Sequence, residues 1–335
     1  MTVVLKDVAQ RAHVSIATAS LALQDDPRVA EATRRRVRLA AEHLAYVPSN
    51  LGRALRARKS SLIGFIIPSA TSSFYDELLE GVSEVATAAG YGLLVAVTGE
   101  SPEAERAHLR LFREKCADGV IVSFCTPEGL PELQRHAKAG VPVVACDVEL
   151  PGVPFPEVRV DDVRATRLAA AHLFDLGHRR LAYAFCINEN ARTRLVACRA
   201  EAAERGAPRP IACETPEDLA AALVGPRRAT GVVAYSDRHA VQVRHVAAEL
   251  GLRVPHDVSV VGFDDVFFAA WPELDLTTVR QPRKEIGREA ARFVIAAIAG
   301  EACEPRPLEG RLVVRGSSGP APGSIGITRS RCNHD

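Results

Sequence analysis

Short apolar runs, separated by longer stretches with helical periodicity, are the feature that most constrains this chain of 335 residues. Helical patterns such as residues 75–89 and 164–176 lie between runs that are rich in Val, Ile and Leu. Continuous apolar strands are typical of parallel sheets that helices cover on both faces. The pattern therefore predicts an α/β fold with strands near residues 62–67, 93–97, 120–124, 141–146, 181–185, 232–235 and 258–263.

The number of strands and the length of the chain both indicate more than one compact body. A chain this long exceeds what one hydrophobic core usually serves. These strands are too many for one small sheet, so we expect them to form two lobes. The last twenty residues, 316–335, are rich in Gly, Ser and Pro, and their composition predicts a disordered tail.

The first 60 residues differ from the rest and predict three short helices. A first apolar stripe falls at the spacing i, i+3, i+4, i+7, and a third helix carries a similar stripe and stops before Pro48. Between them, Ser15 can cap a second helix that runs to about Leu23. Two short helices joined by a tight turn and braced by a third form a helix-turn-helix. The first stripe consists of Leu5, Val8, Ala9 and Ala12.

The charge is divided unequally between this head and the rest of the chain. Of 42 basic and 41 acidic residues, eleven bases and five acids lie within residues 1–60, which gives the head a charge of +6 and leaves −5 elsewhere. A basic helical head on an acidic body predicts a polyanion partner for the head alone. A solvated charged surface is the alternative for Arg34, Arg35 and Arg36.

The second helix carries apolar residues on the side that its core stripe does not use. Ala17 and Leu21 point away from that stripe, and Ile16 lies on its flank. Apolar groups in this position suit contacts with thymine methyl groups in the major groove of DNA. A slightly apolar solvent-facing surface is the alternative.

Other classes of protein lack support in the sequence. It contains no apolar stretch near ~18 residues, which a membrane helix requires, and no signal-peptide pattern, so we expect a cytoplasmic protein. The eight cysteines are scattered without metal-ligand spacing, and we expect no metal and no cofactor. Phosphate-loop, G-x-S-x-G and H-E-x-x-H motifs are absent, which argues against an enzyme. A solute-binding transport protein would need export and would have no basic head.

Several segments of the head together resemble the lac/galactose repressor (LacI/GalR) family. They are Leu5–Ser20, Pro27-Arg28-Val29, Thr33-Arg34, Tyr46-Val47-Pro48-Ser49 and Arg53-Ala54-Leu55-Arg56, and the resemblance extends to about Val314. It implies a repressor controlled by a small-molecule effector, with a two-lobed core like that of periplasmic binding proteins. The implied domains are a head at 1–60 with a hinge helix at about 49–57, and a core at 61–315. Within the core, lobe 1 would comprise 62–160 and 282–315, and lobe 2 would comprise 161–281.

We expect the repressor to bind a pseudo-palindromic operator as a homodimer, because one short helix reads too few bases for useful selectivity. The resemblance implies a hinge that becomes helical only on DNA and wedges Leu55 into the minor groove, with Gly52 in place of the usual alanine. The residues expected to contact DNA are Lys6, Ser15, Ile16, Ala17, Thr18, Ser20, Leu21, Arg28, Thr33, Asn50, Arg53 and Leu55.

An effector site is expected where the parallel strands end, because open α/β sheets bind ligands at their carboxyl edges. Aromatic faces with carboxylates and an arginine suit a polyhydroxylated ring, such as a sugar. Asp161 and Asp237 could instead cap the helices that follow them. Val148 and Ser236 depart from the family, so regulation without a small-molecule effector stays open. The expected effector residues are Phe74, Tyr75, Asp147, Asp161, Arg194, Asp237 and Asp264.

Overall fold

The computed structural model describes residues 3–46, 60–114, 117–150, 152–153, 155–185, 188–304 and 307–323. The chain divides into two compact units, Met1–Ser60 and Ser61–Asp335. The predicted hinge at 49–57, with Asn50, Arg53 and Leu55, lies outside the described residues, and so does the part of the predicted tail from 324 to 335.

The head contains the three predicted helices. They are α1 (Leu5–Arg11), α2 (Ile16–Leu23) and α3 (Glu31–His43). Small residues allow them to pack closely around one core, which consists of Val8, Ala9, Ala12, Ala19, Ala22, Val29, Val37, Ala40 and Ala41. The turn between α1 and α2 is tight: the Val14 N–H donates to Ala9 O at 3.0 Å, and His13 adopts a left-handed φ of 51°.

Lobe 1 is built on a five-stranded parallel sheet in the order β2-β1-β3-β4-β5. Its strands are β1 (Leu62–Ile67), β2 (Gly92–Val97), β3 (Gly119–Val122), β4 (Val143–Cys146) and β5 (Glu157–Val158). The helices between them are α4 (Tyr75–Ala88), α5 (Pro102–Glu114) and α6 (Leu130–Lys138). Apart from the half-buried Leu62, the central strands β1, β3 and β4 are buried along their whole length, as their continuous apolar sequence predicts.

Lobe 2 is built on a six-stranded sheet in the order β11-β10-β9-β8-β6-β7. Its strands are β6 (Leu181–Ala184), β7 (Ile211–Cys213), β8 (Gly231–Ala234), β9 (Ser259–Asp264), β10 (Thr277–Arg280) and β11 (Arg311–Val313). Its helices are α7 (Asp162–Asp175), α8 (Glu189–Glu204), α9 (Pro216–Leu223) and α10 (Asp237–Glu249), with a 3₁₀ turn at Phe267–Ala270. All pairs are parallel except β10 with β11. The two sheets confirm the predicted α/β class.

One long helix, α11 (Arg283–Ala299), leaves lobe 2 and packs on α4 of lobe 1. Two glycines permit this close approach. A Cβ at Gly81 would lie 2.1 Å from Lys284 O, and a Cβ at Gly287 would lie 2.1 Å from Leu78 O. Any side chain at either position would therefore force the two helices apart.

The end of the core departs from two expectations. The stretch 282–315, expected in lobe 1, is divided: α11 packs on lobe 1, but β11 pairs antiparallel with β10 in lobe 2, where it covers the open edge of that strand. Part of the predicted tail is ordered as well. Ser317 is buried, and its hydroxyl donates to Val260 O at 2.7 Å and accepts from the Thr277 N–H at 2.8 Å. Composition alone does not reveal such long-range partners.

Across the described ranges, no helix combines the length and the apolar character that spanning a membrane would require.

Candidate functional site

The start of α2 is held by its own side chains. Ser15 Oγ accepts the Thr18 N–H at 3.0 Å and lies 2.8 Å from Thr18 Oγ1. This is the predicted N-cap, which satisfies a backbone donor that the first turn leaves open. At α1 the corresponding position is Val4, which has no side-chain oxygen, but Asp7 accepts the Val4 N–H at 2.8 Å.

The outward face of α2 differs in part from the expectation. Ile16 is 50 % exposed and Ala17 is exposed, whereas Ala19 and Ala22 are fully buried. Leu21 is half-buried and packs against the core of the head. Leu21 therefore does not point fully outward as expected, and Ile16 and Ala17 form the exposed apolar surface.

The basic residues of the head fall into two groups. Arg36 donates to Ala12 O at 2.9 Å and thereby fixes α3 against the end of α1. Arg28 binds Asp26 with two hydrogen bonds, of 2.9 and 2.7 Å, and these bonds lower the pKa of Asp26 to about 2. In contrast, Lys6 and Arg35 are exposed and form no ion pair with any described residue. Such cations are available to phosphates.

Ser20 and Thr33, two further predicted contacts, are half-buried. Ser20 Oγ accepts a hydrogen bond from Gln24 at 3.3 Å, and the Thr33 N–H donates to Ala30 O within the first turn of α3.

In the core, acidic residues of both lobes act electrostatically on the Tyr75 hydroxyl. Phe74 and Tyr75 begin α4, and their rings are edge-to-face at 5.1 Å. Burial raises the pKa of Tyr75, and the nearby carboxyl groups of Asp147 and Asp264 raise it further. Asp147 follows β4 of lobe 1 and Asp264 ends β9 of lobe 2. Thus four of the predicted effector residues lie where the two lobes adjoin, which is where the effector cleft is expected.

Arg194 is a fifth, but it is bound within lobe 2. It is only 2 % exposed. Its Nε donates to Asp162 at 2.5 Å, its Nη1 donates to Tyr235 O at 2.9 Å, and its guanidinium lies 3.6 Å from the centre of the Phe263 ring. Arg194 therefore orders the floor of the cleft, and Asp162 compensates its charge.

Of the adjacent pair Asp161-Asp162, it is Asp162 rather than the predicted Asp161 that lies beside Arg194. Asp161 caps α7 by accepting the Arg164 N–H at 2.9 Å, and it lines a shallow groove on the outer face of that helix. Asp162 is buried between Arg194 and Arg159. Periodicity could have identified it, because it shares the buried stripe of Ala165, Thr166, Ala169, Ala170 and Leu173.

Asp237 is neither a helix cap nor a cleft residue. Ser236 caps α10. Asp237 is 0 % exposed, and its two oxygens accept the Val266 N–H at 2.9 Å and the Thr278 hydroxyl at 2.5 Å. A Cβ at Gly262 would lie 2.2 Å from one of these oxygens. Asp237 thus ties α10 to β10 and to the segment that follows β9, and its predicted contact with an effector is not supported by this geometry.

Asp147 and Asp264 are held differently from the other acids. Asp147 Oδ1 is buried without a hydrogen-bond partner, and Asp264 accepts a hydrogen bond from Gln281 at 2.8 Å. Both residues have left-handed backbone, with φ of 57° and 119°, a strain that often marks functional sites. Burial raises the pKa of both carboxyl groups, that of Asp264 to about 6.

Two side chains that the sequence analysis did not select join the lobes. Asn190 donates to Asp147 O and accepts the Glu149 N–H, both at 3.2 Å. Arg283, at the start of α11, donates to Ser73 O at 2.7 Å. Asn190 lies four residues before Arg194 on α8, so the helical spacing could have pointed to it.

Aromatic rings form a wall at the carboxyl ends of β6 and β8. The His239 ring lies 5.1 Å from Phe185 and 5.4 Å from Tyr235. Burial lowers the pKa of His239 to about 4, so the ring is neutral near pH 7. Asn188 donates to the Tyr235 hydroxyl at 2.8 Å. In the described portion of the chain, no three His, Cys, Asp or Glu side chains are grouped to hold a metal ion.

Comparison with known proteins identifies the family of the head and of the core. A family of bacterial regulatory proteins, the lacI family, matches residues 4–49, and a periplasmic binding protein-like domain matches residues 170–318. In structure, the chain is similar to a lac repressor dimer bound to operator and the anti-inducer ONPF, with a TM-score of 0.83, 24% identity, and coverage of 95% of this chain and 100% of that one. It is also similar to a complex of the transcriptional regulator CelR with cellobiose, with a TM-score of 0.68, 28% identity, and coverage of 94% and 99%.

Among curated proteins, the HTH-type transcriptional repressor CytR of Escherichia coli (strain K12) is 30% identical over 332 residues. The alignment covers 94% of this chain and 96% of CytR. The resemblance inferred from the head is therefore confirmed over nearly the whole length. The chain belongs to the lacI family of bacterial regulatory proteins and is a DNA-binding transcriptional regulator.

Proposed function

We propose that this regulator is a repressor that binds its operator through α2 and responds to a hydroxylated effector in the cleft between its lobes. The observation that carries the proposal is the Ser15-capped helix α2, which exposes Ile16 and Ala17 on a head with unpaired cations. A positively charged surface that also presents apolar contacts can bind the DNA backbone and distinguish thymine from other bases.

The proposed DNA contacts divide by chemistry. Ser15, Thr18 and Ser20 supply hydroxyl groups near the exposed apolar pair Ile16 and Ala17, which are the candidates for base recognition. Cationic and polar contacts to phosphates would come from Lys6, Arg28 and Thr33, to which the exposed Arg35 is added.

The proposed effector contacts are Phe74, Tyr75, Asp147 and Asp264, with Arg194 and Asp162 as the residues that position them. Aromatic faces and carboxyl groups bind the apolar faces and the hydroxyl groups of a sugar or nucleoside ring. The complex of the similar regulator CelR with cellobiose supports this class of ligand.

The active form is proposed to be a homodimer, as in the similar lac repressor structure. Exposed apolar residues of the core are available for such an interface: Val95 and Val97 on the edge strand β2, and Phe267 and Trp271 in lobe 2. A dimer with two-fold symmetry would match a pseudo-palindromic operator. We propose that it acts in the bacterial cytoplasm, where the DNA lies, and by binding rather than by catalysis.

Selection of binding sites from random DNA, followed by affinity measurements from ~50 to ~200 mM salt, tests the function. We expect a two-fold symmetric site and an affinity that falls by orders of magnitude over this range. Lys6→Ala and Arg35→Ala should each lower the number of counterions released on DNA binding by about one, so that the affinity depends less steeply on salt. Arg192→Ala, on the surface of the core, is the matched control and should leave it unchanged. A flat salt profile or full-strength binding to a single half-site would refute the proposal.

A further inference from the structure

The positive charges around the cleft are already compensated by carboxylates. Arg194 pairs with Asp162 at 2.5 Å, and Arg159 pairs with the same carboxylate at 3.3 Å. Arg283 pairs with Glu77 at 2.7 Å. None of these guanidinium groups therefore remains as a free cation for an anionic ligand.

Two carboxyl groups at the same place have no such partner. Among the described residues, Asp147 and Asp264 form no ion pair, and both carboxyl groups act electrostatically on Tyr75. Asp147 Oδ1 is a buried atom without a hydrogen bond. Gln281, which donates to Asp264, is 2 % exposed, and its Oε1 has no partner either. The cleft thus presents several buried acceptors with no donor.

Burying carboxylates without a cation is costly, so they either take up protons or bind a positive group. Burial raises the pKa of both acids, which is consistent with the first alternative in the protein alone. Arg159, Arg194 and Arg283 lower the pKa of one or other acid, Asp162 raises it, and Asp264 in turn raises the pKa of Asp147 and of Asp237. The aromatic ring of Tyr75 favours the second alternative, since ring faces attract ammonium groups, whereas the Phe74 ring already has the Arg283 guanidinium 5.9 Å from its centre.

We propose that the effector is a hydroxylated ring bearing a protonated amine, as in the amino sugars, and that Asp147 and Asp264 bind its ammonium group. This inference rests on the proposed function, because it names the ligand of the same cleft. The hydroxyl groups of the ring would meet the remaining acceptors, including Gln281 Oε1.

Titration calorimetry with matched sugars tests it. The probes are D-glucosamine, D-galactosamine and D-mannosamine, each compared with its neutral hexose and its N-acetyl derivative. We expect one amine to bind at least tenfold more tightly than its two neutral counterparts. At pH 6 its binding should release protons from the two acids, which appears as a dependence of the heat on the ionisation enthalpy of the buffer.

Two variants distinguish amine binding in the cleft from amine binding at the protein surface. Asp147→Asn should remove the preference for the amine, whereas Asp161→Asn, which removes a carboxylate from the outer groove and keeps the cap of α7, should retain it. A neutral hexose that binds as tightly as its amine would overturn the inference. If that hexose also releases the selected operator, the proposed function stands. Failure of every amine to bind at ~10 mM would overturn the inference as well, and operator binding, measured separately, reports on the head.

Discussion

Replacing Arg194 by Met should destabilise lobe 2 far more than an ordinary surface change. The guanidinium lies between the Asp162 carboxylate and the Phe263 ring and is almost completely buried. Met fills much of the same volume but leaves the Asp162 carboxylate with Arg159 alone, at 3.3 Å. The side chain of Arg194 also supplies the hydrogen bond to Tyr235 O.

The magnitude follows from these contacts. Removing one partner of a buried ion pair costs ~3–5 kcal/mol because the other charge stays buried. Since Arg159 still pairs with Asp162, we expect the lower end, about 3 kcal/mol in the free energy of unfolding. Asp162→Asn alone should cost a similar amount. In the double variant neither charge is stranded, so the cost should fall well below the sum, with a coupling energy of about 2 kcal/mol.

Urea unfolding at a fixed protein concentration measures these energies. The single tryptophan of the chain, Trp271, directly follows the 3₁₀ turn of lobe 2 and provides the fluorescence signal. Arg192→Met is the control, because Arg192 is exposed and pairs with Glu189 on the surface of the same helix. It should change stability by no more than ~0.5 kcal/mol. If Arg194→Met matches this control, or if the double variant equals the sum of the single ones, the reasoning is wrong.

Four further predictions concern other parts of the molecule. Burial raises the pKa of Asp264 from 3.8 to about 6, so the folded state favours the protonated carboxyl group. The resulting stabilisation against unfolding is fully present below pH ~4 and is lost as the pH rises through 6. Two pKa units correspond to ~3 kcal/mol, and Asp264→Asn should flatten this part of the urea-unfolding profile between pH 4 and 7.5. Ser15→Ala should cost ~1 kcal/mol by removing the cap of α2, seen as faster amide exchange in α2 and weaker operator binding; unchanged exchange would contradict the role of the cap. Gly287→Ala should cost ~2 kcal/mol or more in urea unfolding, because the new methyl would overlap Leu78 O; wild-type stability would mean that α4 and α11 can separate freely. Ala17→Arg should shift the selected operator towards guanine, whereas an unchanged motif would show that this exposed position does not face the bases.

The strands that the sequence predicts are those with a continuous apolar run. All seven runs form strands, and six of these are buried on both faces, which requires apolar residues at nearly every position. The seventh, β2, lies at a sheet edge and exposes Val95 and Val97. Three of the strands it did not predict, β5 (Glu157–Val158), β7 (Ile211–Cys213) and β11 (Arg311–Val313), lie at sheet edges, whereas β10 (Thr277–Arg280) is internal but carries polar residues. There the backbone of a neighbouring strand, rather than the local pattern, decides the conformation.

The sequence indicated some members of the candidate site and not others. The carboxyl ends of strands pointed to Tyr75, Asp147 and Asp264, which act on one another electrostatically in the structure. For the acidic pair 161–162, the same reasoning could not decide which carboxylate turns inward. That depends on the rotation of α7 about its own axis as it packs on lobe 2. The observed rotation buries Asp162 and leaves Asp161 as the cap.

The sequence by itself determined the helix-turn-helix head, the α/β class of the core and the family, since these follow from local periodicity and from motifs at fixed spacing. Only the tertiary structure decided that Asp162 compensates the charge of Arg194, that Asp237 accepts hydrogen bonds from Val266 and Thr278, and that Ser317 is buried. Each of these contacts joins residues between 29 and 57 positions apart in the chain. A hydrogen bond or an ion pair forms within a few ångströms, and the packing of whole helices and strands sets which distant groups come that close.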